Sequence, residues 1–414
     1  MRSRYCAAGD SALDRDSVAV SGVGAVSPAG LGVHALWRAI EDRRVLTGPV
    51  TRYDLSRYPT QRAAEVPPGA VAALDSLVPP HESLAARYLA AATLEALGDA
   101  GLPAHRRRGR LGLFVGTVMG TRPVLDRAIG RGPLGVPDRT FARPEELLTA
   151  VRRVVTVDGP AVLLAPGCSA GNEAIAAGAA AVASGEVDVA VCGGADELSL
   201  EVFAFFTSMR ALAADTIRPF DAGRKGTMPG EGAAVLVLER AERIAGRGRA
   251  PLAHVLSTAS AADAHNLTQP HPDGAGLIAT IQTCLDRARV EPDDVDWVCA
   301  HGTGTPANDG VEARAVAKAL GGRRRPVLSS VKGQLGHAEG AAAVLEAVIG
   351  VRAIAHGLVP GNVTLADPDP ECGGVDLVEP AGRRGPVGRV LSQAYGFGGA
   401  VCTVLLGKGA PDAR

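Results

Sequence analysis

The stretch Ala161-Val162-Leu163-Leu164-Ala165-Pro166-Gly167-Cys168-Ser169-Ala170-Gly171, followed by an alanine-rich run to Ala183, decides the fold. Its apolar start reads as a buried strand, Pro166-Gly167 as a turn, and Gly171 onward as a helix. Strand, tight turn and helix in that order are the building unit of α/β sheets. The turn presents Cys168 at the helix N-terminus, where unpaired N–H groups favour a thiolate. Taken by itself, such a thiol is also compatible with a buried structural cysteine.

Working outward, the same unit recurs 169 positions later, where Gly336-His337-Ala338-Glu339-Gly340 opens a second alanine-rich helix. A second echo has a similar offset. Gly230-Glu231-Gly232-Ala233-Ala234-Val235-Leu236 resembles Gly396-Phe397-Gly398-Gly399-Ala400-Val401-Cys402, and each leads into an apolar strand. Two echoes predict a duplicated unit of roughly 170 residues, too long for a solenoid repeat. Further apolar runs read as strands at 18–26, 111–118, 187–192, 233–238, 251–260, 295–300, 327–331 and 401–406. Helical stretches fall at 84–100, 171–184, 274–288, 309–320 and 337–356. This alternation predicts an α/β fold with buried, largely parallel sheets.

Three more features can carry chemistry. His301-Gly302-Thr303-Gly304-Thr305-Pro306 follows the predicted strand at 295–300, and strand ends are where α/β sheets bind ligands. His337 lies five residues after Lys332 on another glycine-rich turn into a helix, so Lys332 is placed to orient it or tune its charge. Gly396-Phe397-Gly398-Gly399 is a turn whose backbone N–H groups can face a ligand.

Composition excludes several classes. The 43 basic and 44 acidic residues leave a net charge of -1, against the basic excess of a nucleic-acid binder. The arginine clusters at 106–108 and 323–325 read as solvated loop charge, with a docking patch for an acidic partner as the alternative. Seven cysteines, an odd number without a CxxC pair, argue against a disulfide framework or a zinc site. No uninterrupted apolar run reaches the ~18–20 residues of a membrane span. Residues 1–16 lack an apolar signal core and read as a flexible tail on a cytoplasmic protein.

Together these motifs resemble those of the β-ketoacyl synthases, free-standing (type II) members of the thiolase-like condensing enzymes. The resemblance runs from about Val18 to Gly407. It rests on Val20-Ser21-Gly22-Val23-Gly24-Ala25-Val26-Ser27-Pro28, Gly159-Pro160…Cys168-Ser169-Ala170-Gly171 and Arg218-Pro219-Phe220-Asp221…Gly230-Glu231-Gly232-Ala233. It extends through His301-Gly302-Thr303-Gly304-Thr305-Pro306-Ala307-Asn308-Asp309, Lys332…Gly336-His337 and Gly396-Phe397-Gly398-Gly399. The fold it implies is thiolase-like, with duplicated αβαβα halves in five layers: a flexible tail at 1–16, a nucleophile-bearing half at 17–250 and a histidine-bearing half at 251–414.

The resemblance also implies a mechanism. Cys168 is the nucleophile, and the backbone N–H groups of Cys168 and Phe397 form the oxyanion hole. His301 and His337 stabilise the enolate of a decarboxylating malonyl-type unit, with Lys332 in support. Thr303, Thr305, Thr227, Phe397 and Gly398 are placed along the substrate, and Asp309 and Glu312 as supporting structure. No metal or other cofactor is implied, because the phosphopantetheine arm belongs to an acyl carrier protein. The expected assembly is a homodimer, or a heterodimer with a related ketosynthase-like subunit.

Departures from the family pattern bear on substrate. Thr227 stands where the family usually has Phe, leaving more room and adding a hydroxyl. Ala400-Val401 replaces the usual Thr-Asn, and residues 140–157 differ from the common fatty-acid pattern. These predict a specialised polyketide, polyene or fatty-acid synthase. The alternatives are a housekeeping elongation enzyme and a non-catalytic partner of the chain-length-factor type, which would lack the nucleophile that Cys168 supplies.

Overall fold

The computed structural model describes residues 17–105, 109–129 and 142–409. The expected N-terminal tail, the arginine cluster at 106–108 and the first two positions of the 140–157 stretch lie outside the described residues.

Among the described residues, the main strands of the first half are β1 (Val18–Ser27), β2 (Leu111–Gly116), β3 (Ala161–Leu164), β4 (Val189–Asp196) and β5 (Gly232–Arg240). They lie side by side in the order β3-β2-β4-β5-β1. The second half has β6 (Ala253–Ala262), β7 (Trp297–Cys299), β8 (Val327–Ser329), β9 (Arg389–Tyr395) and β10 (Ala400–Gly407), in the order β8-β7-β9-β10-β6. Counted from the start of each half, both read third, second, fourth, fifth, first. The repeated motifs therefore reflect a repeated topology. The halves join where Ala19 and Val20 of β1 pair with His254 and Ala253 of β6.

The sheet is mixed, which corrects the expectation of largely parallel strands. β2 runs parallel to β3 and β4, and β7 runs parallel to β8 and β9. The pairs β4–β5, β5–β1, β9–β10 and β10–β6 are antiparallel. For β9 and β10 the reason is the connection: the Gly396–Gly399 turn makes a hairpin, and a parallel crossover needs a dozen or more residues.

Five helices supply the remaining layers: α1 (Leu84–Asp99), α2 (Ala170–Ala183), α3 (Ala275–Ala288), α4 (Asp309–Ala319) and α5 (Glu339–His356). Leu89 and Leu97 of α1 pack with Leu113 and Val191 in the outer layer of the first half. Leu277 of α3 and Val316 of α4 pack with Val298 and Leu405 outside the second. Between the two halves of the sheet, Ile175 and Val182 of α2 share one core with Val344 and Val348 of α5. That central layer needs helices that are apolar all round, and α5 is buried along almost its whole length.

Small residues let the two central helices cross closely near their N-termini. A Cβ on Gly171 would stand 2.8 Å from the Gly340 carbonyl oxygen and 2.7 Å from a Val344 methyl. Gly171 and Gly340 occupy matching positions in the two echoes. The pseudo-symmetric crossing thus brings Cys168, just before α2, against His337 and Glu339, at the start of α5.

Candidate active site

The nucleophile turn is built as its sequence demands. β3 ends at Leu164, Pro166 closes the strand, and Gly167 takes a positive φ of +71°. A single 3₁₀ turn, Gly167–Ser169, runs into α2. Cys168 is buried, and its Sγ donates to Glu339 Oε2 at 3.5 Å. Sγ, a His337 ring nitrogen and a Glu339 carboxylate oxygen lie within 4.8 Å of one another. In the resting pocket the surroundings oppose the pull of the helix terminus toward thiolate. Burial, then the charge of Glu339, push the thiol well above its ordinary range.

His301 follows β7, and its loop hangs from the first turn of α4. Glu312 accepts the backbone N–H groups of His301 (2.7 Å) and Gly302 (2.8 Å). Asp309 accepts those of Gly304 and Phe220, and the Asn308 side-chain amide donates to both carboxylates. Burial holds Asp309 at about 6 and Glu312 at about 7, against the opposing pull of these donors. Asp309 and Glu312 therefore anchor the loop from beneath. Thr303 and Thr305 line the cavity side, their hydroxyls 2.9 Å apart.

His337 is fixed by a strand-like contact with the other half. Its N–H donates to the Met228 carbonyl (2.8 Å), and its carbonyl accepts from the Gly230 N–H (2.7 Å). The His301 and His337 rings stand 5.4 Å apart at 85°. Burial lowers both imidazoles well below their usual range, and the nearby Lys332 charge lowers them further. Lys332 is itself buried and pairs with Glu346, about two turns along α5 from Glu339, rather than with His337. Its influence on the histidines is electrostatic.

The two glycine turns cross over between halves. Gly230, from the first half, backs the His337 turn of the second. Gly396, from the second half, backs the Cys168 turn of the first: a Cβ there would lie 2.5 Å from the Pro166 carbonyl oxygen and 3.2 Å from the Cys168 nitrogen. The same packing brings the Phe397 backbone beside Gly167.

These elements enclose a cavity of about 230 Å³ lined by Cys168, Thr227, His301, Thr303, Thr305, His337, Tyr395 and Phe397. The expected site residues thus converge, except two. Lys332 lies behind the histidines, and Gly398 is exposed outside the lining, donating its N–H to the Leu267 carbonyl. The Thr227 hydroxyl is buried without a partner. Sequence reasoning missed Phe206, whose ring lies 6.5 Å from His337 and 6.2 Å from Phe397. It also missed the loop 266–270, which lines the cavity and whose residues carry no motif. Glu339 stood inside the quoted repeat, and its charge in an alanine-rich helix start was a signal left unused.

Cys168, His337 and Glu339 form the one trio of His, Cys, Asp or Glu donors near enough to bracket an ion among the described residues. Among those residues no helix is long and apolar enough to cross a membrane.

The comparisons with known proteins bear on the family and the fold. The β-ketoacyl synthase N-terminal domain profile matches residues 15–243, and the C-terminal domain profile matches residues 252–366. The tetracenomycin polyketide synthase ketoacyl synthase alpha subunit of Streptomyces glaucescens is 33% identical, over 94% of this chain and 97% of its own. The 3-oxoacyl-(acyl-carrier-protein) synthase 2 of Coxiella burnetii is 31% identical, over 96% and 99%. Among solved structures, the ishigamide ketosynthase/chain length factor superposes with a TM-score of 0.88 at 31% identity, over 95% of this chain and 99% of that one. With both domain profiles matched and the fold shared, the chain belongs to the β-ketoacyl synthase family.

Proposed function

We propose that the chain catalyses decarboxylative Claisen condensation between an acyl thioester and a malonyl unit on an acyl carrier protein. The observation that carries this reading is the meeting of Cys168, His301 and His337 in one buried cavity. The Cys168 sulfur attacks the acyl carbonyl, and its oxyanion faces the backbone N–H groups of Cys168 and Phe397. The malonyl unit then loses CO₂. His301 and His337 hydrogen-bond the enolate oxygen; kept neutral by burial, they do so without quenching the carbanion. The carbanion attacks the Cys168 thioester, and a β-ketoacyl product leaves on its carrier. Thr303 and Thr305 meet the pantetheine arm at the mouth, and Phe397 gates the acyl chain. The chemistry uses these side chains and the arm of the carrier.

A specialised polyketide or polyene pathway is supported by the names of the polyketide relatives and by Thr227, a small residue in the cavity wall. The partners that fit are an acyl carrier protein and either a second copy or a related ketosynthase-like subunit. The Coxiella relative favours fatty-acid elongation as the second reading. A silent partner subunit is disfavoured by the presence of Cys168 in the cavity. We propose two functional halves, 17–250 and 251–414, which divide the nucleophile from the histidines. The test is incubation with acyl-carrier and malonyl-carrier thioesters followed by intact-protein and product mass spectrometry. The expected result is an acyl adduct on Cys168, a β-ketoacyl-carrier product, and loss of both in Cys168→Ser. Product formation undiminished in that variant would overturn the reading.

A further inference from the structure

We infer that Glu339 is the base that takes the Cys168 proton during acylation, an inference that rests on the ketosynthase reading above. Nucleophilic sulfur chemistry needs a thiolate. Yet this thiol is buried, and its hydrogen bond runs to a carboxylate, not to an imidazole. Both imidazoles are poor proton acceptors, because burial and the Lys332 charge oppose their protonation.

The backbone is arranged to deliver the carboxylate. Glu339 opens α5 with φ +47°, a left-handed conformation that costs a non-glycine residue about 1–2 kcal/mol. That conformation leaves Oε2 on the sulfur and Oε1 buried without a partner. The groups that face Glu339 are Cys168 before α2, His337 just before α5, Asp196 at the end of β4 and Lys332 after β8. Burial first, then Asp196, push the Glu339 carboxyl up to about 8, against the pull of Cys168 and Lys332. The same burial holds the Cys168 thiol well above its ordinary range, so the pair passes its proton from sulfur to carboxylate as the carbon–sulfur bond forms rather than before it. It carries one proton and one negative charge before and after the transfer. No new charge is desolvated, and its titration belongs to the pair rather than to either residue.

The step balances. The Cys168 proton passes to Glu339 Oε2 as Sγ bonds to the acyl carbonyl carbon. Collapse of the tetrahedral adduct breaks the carbon–sulfur bond to the pantetheine arm. The departing thiolate takes the proton from Glu339 and leaves as a thiol, which restores the carboxylate.

The experiment compares wild type, Glu339→Gln and Glu339→Asp between pH 6 and 9. Rapid-quench mass spectrometry follows Cys168 acylation by an acyl-carrier thioester, and malonyl-carrier decarboxylation is measured in parallel. Glu339→Gln is expected to slow acylation about 100-fold or more and to lose the rise in rate toward pH 8. Decarboxylation should fall by much less than acylation, the proton transfer having no part in it. Glu339→Asp should recover part of the acylation rate. Wild-type acylation and pH profile in Glu339→Gln would overturn the inference, as would parallel loss of acylation and decarboxylation. Iodoacetamide alkylation of Cys168 needs no carrier. Slower alkylation in Glu339→Gln supports the base role even where the ketosynthase reading fails, and an unchanged rate refutes it.

Discussion

The His301 and His337 rings face each other across 5.4 Å, nearly perpendicular, although they arise from separate strand-to-helix turns 36 positions apart. Each turn is held by a different device: an acid pair at the start of α4 for His301, and the backbone of Met228 and Gly230 for His337. Two rings so fixed can both donate to one oxygen, a geometry paid for by burying two imidazoles whose protonated forms the pocket rejects.

That rejection has a pH signature. In the folded chain both imidazoles lie well below the ordinary value of 6.5. Below pH 6.5 the unfolded chain therefore binds protons that the folded chain refuses, and stability falls as pH falls. The double variant His301→Asn/His337→Asn should lose part of this acid sensitivity. The check is Tm from pH 8 to pH 5, with the variant-minus-wild-type difference rising as pH drops. A difference independent of pH would contradict the buried neutral assignment.

Lys332 acts on the histidines through its charge, which opposes their protonation. Replacing the buried pair together, as Lys332→Met/Glu346→Gln, avoids stranding one ion, which alone costs about 3–5 kcal/mol. Without the cation both imidazoles titrate higher. The acid limb of malonyl decarboxylation should then move to higher pH, with the plateau rate less affected. Rates measured between pH 4.5 and 8 decide it, and an unmoved limb would remove Lys332 from the electrostatics of the site.

How much of this was legible beforehand follows local chemistry. Cys168, His301 and His337 stood out because each sits on a glycine-bearing turn after an apolar strand, a pattern that short-range physics imposes. The duplication was legible because the same turn chemistry occurs twice. β9 was missed because Ser392 and Gln393 interrupt its apolar run, yet both are fully buried in the sheet. The pairing of Lys332 with Glu346 spans 14 positions across a turn and a helix, beyond what spacing reveals. The same holds for Glu339: the crossing of α2 over α5, a tertiary event, decides what its carboxylate touches.

Glu312 tests the loop beneath His301. Its two oxygens accept the N–H groups of His301 and Gly302. Glu312→Ala would leave both buried donors unpaired, at about 1–3 kcal/mol each. Tm should drop, and kcat for condensation should fall at least about tenfold because one enolate donor loses its position. Glu312→Gln retains acceptor capacity and should lie between. An unchanged kcat in a destabilised Glu312→Ala would confine the residue to stability.

Gly396 tests the contact between the Phe397 turn and the Cys168 turn, on which the proposed oxyanion hole depends. An added methyl would stand 2.5 Å from the Pro166 carbonyl oxygen, so Gly396→Ala must push the Phe397 turn away from Cys168. Losing one oxyanion donor typically costs about 10²–10³ in rate. Acylation of Cys168 should slow by that order while carrier KM changes little. Pre-steady-state acylation with varied carrier concentration separates the two, and a KM effect alone would make this turn a docking element.

Thr227 offers the sharpest separation of stability from function. Its hydroxyl is buried in the cavity wall with no protein hydrogen-bond partner, so an isosteric methyl breaks no bond within the fold. Thr227→Val should therefore keep or raise Tm. If the hydroxyl meets the extender unit, the same change lowers kcat/KM for malonyl-carrier condensation, because the interaction is made only with substrate present. Thr227→Phe fills the space and should discriminate against α-branched extenders more than against malonyl. The two readouts separate by design: a Thr227→Val at least as stable but slower places the hydroxyl on the substrate, whereas one at least as stable and equally fast assigns it to neither catalysis nor recognition.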